Sequence, residues 1–187
     1  MQNYISLYDN TFSKEDCQNL IDKFERYSSF FDFKKVHASD GWHMQFTQLH
    51  LSNHDEFFKE SEKLKAIFLK GIATYKKEYK IQPHQWSTQF QMEPLRMKRY
   101  LPNTNDMFDE HVEVTNLQTA KRFLVALIYL NDDFEGGETD FVQLDVKIKP
   151  KQGSMAIFPA TWSWLHKGHP VKGKNPKYFV GTLLHYV

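Results

Sequence analysis

A single cysteine, Cys17, is all the thiol chemistry that this chain of 187 residues carries. One cysteine cannot close a disulfide within the chain, so the fold must rest on a packed core. It suits a reducing compartment, with the cytoplasm as the expected location. An excess of charge of either sign is also missing: 24 Lys and Arg stand against 23 Asp and Glu, for a net charge of +1. That balance gives no strong pull toward nucleic acid or an anionic membrane, and neither is expected as a partner. No apolar run is long enough to span a bilayer. The opening residues, Met1-Gln2-Asn3-Tyr4-Ile5-Ser6, lack a basic segment followed by an apolar one, so no signal peptide is expected. Internal repeats, low-complexity tracts and linkers are absent as well.

What the chain does have is apolar and aromatic mass, 41% and 16% of its residues, enough for one globular domain with a sizeable core. Residues 1–187 are therefore expected to form a single domain, helical up to about residue 85 and β-rich from about 86. A weak alternation over residues 3–8 suggests a short strand. Ser13 reads as an N-cap, and Cys17, Leu20, Ile21 and Phe24 fall at helical spacing, which predicts a helix from Lys14 to about Tyr27. Residues 28–51 read as loop with short strands around an Asp40-Gly41 turn. Ser52 or Asn53 is the expected cap of a second helix running to about Lys80, closed off by Pro83. From Trp86 the period changes to two. Strands are expected over Trp86–Met92, Leu95–Tyr100, Phe123–Leu130, Val146–Lys149, Ser154–Phe158 and Tyr178–His185. Many short strands after two helices point to a closed or double-sheet antiparallel fold with the helices on one sheet.

The chemistry concentrates between His111 and Lys177. In a strand, residues two apart share a face, so His111 and Glu113 can offer an imidazole and a carboxylate to one point. His166 would complete a set of two histidines and one carboxylate. Such a set holds non-haem Fe(II) on one side and leaves the other side open. Gly136 and Gly137 suit a turn with positive φ. Arg122 could pair with an acidic neighbour near this site or simply be solvated. Trp162 and Trp164 could line a substrate face, although plain packing is the simpler reading. His37, His43, His50, His54 and His84 read as surface or loop residues.

Three stretches together carry a family likeness. They are Arg122 with Tyr129-Leu130-Asn131 through Gly136-Gly137-Glu138-Thr139-Asp140-Phe141, then Pro150-Lys151-Gln152-Gly153-Ser154-Met155, and then Leu165-His166-Lys167-Gly168-His169-Pro170-Val171 followed by Lys177-Tyr178. From about Leu95 onward the chain resembles the prolyl 4-hydroxylase-like 2-oxoglutarate/Fe(II)-dependent dioxygenases. Asp9 to Cys17 resembles that family's first helix entry. The resemblance implies a double-stranded β-helix, or jelly roll, buttressed by the N-terminal helices. It implies His111, Glu113 and His166 as metal ligands, with Glu113 standing where the family usually has Asp. It favours His166 over His169, because the ligand follows an apolar residue, here Leu165. It implies that Lys177 binds the distal carboxylate of 2-oxoglutarate, assisted by Tyr129 and Tyr100. The implied cofactors are Fe(II), 2-oxoglutarate and O₂, with ascorbate as a further candidate. The implied reaction is hydroxylation of a peptidyl proline or related substrate, peptide or small molecule, with release of succinate and CO₂. Two other classes stay open at this point: a cupin-like metal enzyme that does not use 2-oxoglutarate, and a non-catalytic jelly-roll binding module. The sequence does not indicate an oligomeric state.

Overall fold

The structure, a computed structural model, describes residues 2–187. In chain order the elements are β1 (Ser6–Tyr8), α1 (Lys14–Arg26), β2 (Asp32–His37), β3 (His43–His50), α2 (Phe58–Glu78), β4 (Phe90–Met92) and β5 (Arg96–Tyr100). They continue with β6 (Met107–His111), β7 (Arg122–Tyr129), β8 (Glu135–Gly136), β9 (Thr139–Phe141) and β10 (Val146–Ile148). The last four are β11 (Met155–Pro159), β12 (His166–Gly168), β13 (Val171–Lys172) and β14 (Lys177–Tyr186). One antiparallel sheet runs β1-β11-β7-β14-β5-β3-β6-β12-β9-β10 and curls into a nearly closed jelly roll. β2 and β4 add to it at β3 and β14, while β8 and β13 form a separate pair.

The alternation along β7 explains the layering. Leu124, Ala126, Ile128 and Leu130 point to one side, where they join Leu20, Phe24, Leu64, Phe68 and Ile72 of the two helices in the main core. Val125, Leu127 and Tyr129 point to the other side and pack with Phe141, Ala156 and Phe158 inside the roll. A strand buried on both faces is read in sequence as an unbroken apolar run, which Phe123–Leu130 is. β14 repeats the division: Tyr178, Val180 and Leu184 face the helices, while Leu183 and the partly buried Phe179 face inward.

α1 forms where its spacing predicts. Ser13 caps it by accepting from the Asp16 N–H at 3.1 Å, and Cys17, Leu20, Ile21 and Phe24 are its buried stripe. α2 lies close against β11 because Gly71 faces Met155. A Cβ at Gly71 would come within 2.3 Å of the Met155 sulfur, so a larger residue would force the Met155 side chain to move. No helix among the described residues is long and apolar enough to cross a membrane.

Besides adding the short strands β6, β8, β9, β12 and β13, the structure departs from the sequence reading in three places. The stretch read as loop and short strands is a hairpin about the expected Asp40-Gly41 turn, in which β3 is a full eight-residue strand between β5 and β6. The region before residue 86 therefore supplies strands to the roll as well as helices. α2 has no side-chain cap and starts at Phe58 after two short 3₁₀ turns; the Ser52 hydroxyl instead accepts from Leu95 N–H at 3.1 Å and ties the entry of β5. Only Phe90–Met92 of the Trp86–Met92 run is strand, because the Ser87 hydroxyl accepts from Gln89 N–H at 3.0 Å and closes a turn there.

Candidate active site

β6 and β12 are neighbours in the sheet, and His111 and His166 are partners in that pairing. Glu113 lies just past the end of β6, in a bend. Its N–H donates to the Ala160 carbonyl at 3.1 Å, and the Arg122 guanidinium donates to its carbonyl at 3.1 Å. Arg122 is itself held by Glu93, with Nε and Nη2 at 2.6 and 3.1 Å from its two carboxylate oxygens. Arg122 is thus the brace behind Glu113, pairing with an acidic neighbour rather than being solvated.

One ligand atom from each of His111, Glu113 and His166 lies within 4.8 Å of the other two. The Glu113 Oε1 is 3.6 Å from His111 Nε2 and 3.9 Å from His166 Nε2. Both imidazoles have a fixed tautomer. His111 Nδ1 is 2.7 Å from the Asp109 carbonyl, and His166 Nδ1 is 2.9 Å from the Trp164 carbonyl. A carbonyl can only accept, so each Nδ1 carries a proton and each Nε2 is the ring nitrogen left facing Glu113, the one available to a metal. Such outer hydrogen bonds are how metal-binding histidines are oriented. Phe108 stacks on the His111 ring with centroids 3.4 Å apart and fixes its plane.

The charges suit a divalent cation. Burial, with neighbouring His111 adding to it, pushes His166 down to about 4, so it is a neutral donor at pH 7. Burial alone would raise Glu113, but the facing His111, Lys98 and His166 together hold it at about 2. Two imidazoles and an ionised carboxylate are the donor set expected for a non-haem iron centre.

The same cavity continues to Lys177, Tyr100, Tyr129 and Thr139. Lys177 is 2% exposed, which makes it a buried cation in the roll. Its ammonium donates to the Gly137 carbonyl at 2.6 Å and lies 5.1 and 5.5 Å from the Tyr100 and Tyr129 ring centroids. Burial, against the pull of Glu138 and with a smaller push from Lys98, brings it down to about 7. The Tyr129 and Thr139 hydroxyls share a 2.8 Å hydrogen bond. Gly137 makes room for this lysine. Its φ of +70° suits glycine, and a Cβ there would press on Phe134 at 2.8 Å and on the Lys177 stem at 3.2 Å. The cavity walls between the two ends are apolar: Val125, Leu127, Phe158 and Leu183.

His169 is elsewhere. Its Nε2 is 2.8 Å from Asp140 Oδ2, and its N–H donates to Glu138. Trp164 packs inside the roll and donates to the Asn3 carbonyl at 2.6 Å, and Trp162 is 79% exposed, so neither lines the cavity. His43 differs from its sequence reading: it is buried on β3, with Nε2 2.6 Å from the Asn105 carbonyl. Thr139, Phe108 and Lys98 line the cavity without a signal in the sequence taken alone. Thr139 follows the Gly-Gly turn and could have been tied to Tyr129 only through the pairing of distant strands.

Comparison with known proteins gives a consistent result. Residues 95–185 match the family model of the 2OG-Fe(II) oxygenase superfamily. A protein of Acanthamoeba polyphaga mimivirus named "Putative prolyl 4-hydroxylase" is 35% identical over 86 residues, a match covering 42% of this chain and 36% of that protein. A viral collagen prolyl hydroxylase from Paramecium bursaria Chlorella virus-1, solved as its 2-oxoglutarate complex, superposes with a TM-score of 0.70 over 98% of this chain and 96% of that one, at 20% identity. A prolyl hydroxylase from Trichoplax adhaerens, solved with a hypoxia-inducible-factor peptide fragment, gives a TM-score of 0.75 over 99% and 84%, at 13% identity. At these identities the structural matches show the shared double-stranded β-helix fold.

Proposed function

We propose, from the match of residues 95–185 to the 2OG-Fe(II) oxygenase superfamily model and the geometry of the site, that this chain is a 2-oxoglutarate- and Fe(II)-dependent dioxygenase acting on a peptidyl proline or a related substrate. One observation carries the reading: a two-histidine, one-carboxylate cluster and a buried lysine with two tyrosines open into one cavity. Neither a cupin-like centre nor a plain binding module calls for a buried cation in the same cavity as such a cluster.

His111, Glu113 and His166 would hold the iron, and the orientation of both Nε2 atoms and the ionised state of Glu113 fit it. With Fe(II), 2-oxoglutarate and O₂ bound, the chemistry supplied is oxidative hydroxylation of a C–H bond with release of succinate and CO₂. The protein's own part is binding and exclusion. Lys177 receives the distal carboxylate of 2-oxoglutarate; a buried carboxylate needs such a charged partner. Tyr129, aligned by Thr139, and Tyr100 orient that carboxylate by their hydroxyls. Burial raises the pKa of both tyrosines, so they remain neutral donors. Val125, Leu127, Phe158 and Leu183 keep water from the reacting end. Arg122 and the Ala160 carbonyl hold the Glu113 bend so that its longer side chain reaches the ligand position.

The reading favours a peptide or protein substrate over a free small molecule on the strength of the named relatives. The cytoplasm is the proposed location: burial pushes the lone Cys17 thiol up to about 12, so it behaves as an inert core residue suited to a reducing compartment. The test is stoichiometric. Succinate should form in step with 2-oxoglutarate consumption, only with Fe(II) present, and faster when a proline-containing peptide is added. Consumption that ignores Fe(II), or no consumption at all, would defeat the proposal.

A further inference from the structure

The cavity contains a second lysine that the proposed reaction does not use. β5 alternates, with Leu95 and Met97 in the helix-side core and Arg96, Lys98 and Tyr100 turned into the cavity. Two of the three cations lining the cavity are satisfied: Arg96 is paired with Glu93, and Lys177 donates to Gly137. Lys98 makes no hydrogen bond or ion pair with any described residue. Its ammonium rests among three aromatic rings, 4.4 Å from the centroid of Phe46, 5.4 Å from Phe108 and 5.9 Å from Phe179. Rings attract a cation, but they offer no acceptors to its three N–H donors. A half-buried ammonium with unused donors at a cavity wall calls for a ligand that supplies them.

Its place in the ladder indicates which ligand. Lys98 stands opposite Phe179, while Lys177 stands opposite Tyr100, one two-residue step away. The two lysines are therefore separated along the strands by about 7 Å. In the proposed reaction one carboxylate of 2-oxoglutarate is taken by Lys177 and the other lies at the metal end. The charges then close without Lys98: Fe(II), Glu113, doubly charged 2-oxoglutarate and protonated Lys177 sum to zero. Lys98 is left over as a positive charge. Glu113 attracts Lys98 but makes no ion pair with it: its charge is already counted in that sum, and its carboxylate lies against the two imidazoles. Lys98 is also fixed near the reacting end, because Phe108, the ring beneath it, stacks on His111.

We propose that Lys98 is a specificity-determining residue whose ammonium receives a carboxylate of the prime substrate, so that the site takes an acid. The inference rests on the proposed function and adds the chemical class of the substrate. The carboxylate could be the free terminal group of a proline or an acidic side chain beside it in a peptide; both present the same group to the same ammonium. Burial pushes Lys98 down to about 8, with Glu113 pulling the other way, so it stays mainly charged at neutral pH.

The experiment is calorimetric titration of protein loaded with Mn(II) and saturating 2-oxoglutarate, which reads binding without turnover. Two matched pairs are compared: N-acetyl-L-proline with its amide, and acetyl-Asp-Pro-amide with acetyl-Asn-Pro-amide. In at least one pair the acid should bind about tenfold tighter or more, as a charge-assisted hydrogen bond implies. The pair that responds identifies the source of the carboxylate. Lys98→Gln and Lys98→Met should erase the difference, and Lys98→Arg should keep it. All variants should bind 2-oxoglutarate like the parent. Equal or absent binding of acid and amide in both pairs would overturn the inference, as would a preference for the acid that survives Lys98→Gln. Loss of 2-oxoglutarate itself in Lys98→Gln would also overturn it, by making Lys98 a co-substrate anchor. A parent protein that binds no 2-oxoglutarate at all would instead overturn the functional reading beneath it.

Discussion

The two faces of β7 and β14 do different work with the same backbone. Outward, Leu124, Ile128, Val180 and Leu184 are closed over by the helices and hold the roll together. Inward, Tyr129 and Lys177 line a cavity that carries buried charge at a cost in desolvation. Stability and chemistry are thus separated by one residue of strand register, and a substitution should disturb one and spare the other according to parity. The cavity is divided in a similar way along its length, with the proposed metal donors at one end and the lysine at the other.

The largest effect expected is at Glu113. Glu113→Ala should abolish Fe(II)-dependent succinate formation, and Glu113→Asp should keep some turnover with weaker metal binding, because the bend held by Arg122 and Ala160 fits the longer arm. Asp109→Ala and Glu110→Ala should behave like the parent. Metal titration with succinate release checks all four, and normal turnover in Glu113→Ala would break the division of the cavity. Next is Lys177→Ala. It should leave metal binding intact while weakening 2-oxoglutarate by roughly 3–5 kcal/mol, the scale of a broken buried charge pair. Unchanged 2-oxoglutarate affinity would mean that another cation, Lys98 first, holds the co-substrate.

The outer face supplies the converse. Ile128 is fully buried against the helices, and Ile128→Ala should cost about 2–5 kcal/mol of stability in denaturant unfolding. Metal affinity of the folded protein should not change; a large loss would show that the two faces are coupled. The smallest effect concerns pH. Lys177 must be charged to meet a carboxylate, and burial holds it near 7 in the free protein. Below 7 it is already protonated. Above 7, binding must take up a proton, so 2-oxoglutarate affinity should fall as pH rises from 7 to 9. Calorimetric heats at pH 8 should then vary with the ionisation enthalpy of the buffer. A flat profile with buffer-independent heats would place the charged partner elsewhere.

Parity also explains what could be read from the sequence. β7 and β14 were legible because alternation or an unbroken apolar run survives when both faces are buried, and α1 because Ser13 and its apolar stripe agree. The three candidate ligands were legible from their residue types and from the family likeness around them. The hairpin Asp32–His50 was legible only as short strands about the Asp40-Gly41 turn, since the outer strand β2 is mostly exposed and carries charge, which hides the period of its buried partner β3. Lys98 was hidden for a related reason. In a run such as Leu95 to Tyr100, cations at alternate positions normally mark the solvent side. Here the helices cover the apolar face and the roll closes over the polar one, and that inversion appears only when β5 is set between β14 and β3.

The central claim is that His111, Glu113 and His166 form one metal centre beside the 2-oxoglutarate site, and it is tested most directly by anaerobic Fe(II) titration with 2-oxoglutarate present. The readout is the visible charge-transfer absorption that arises when a 2-oxo acid chelates ferrous iron. The parent and His169→Ala should develop the band with saturation at one iron per chain, since His169 is engaged by Asp140. His111→Ala and His166→Ala should not develop it. A band that forms normally on His166→Ala and is lost on His169→Ala would contradict the account.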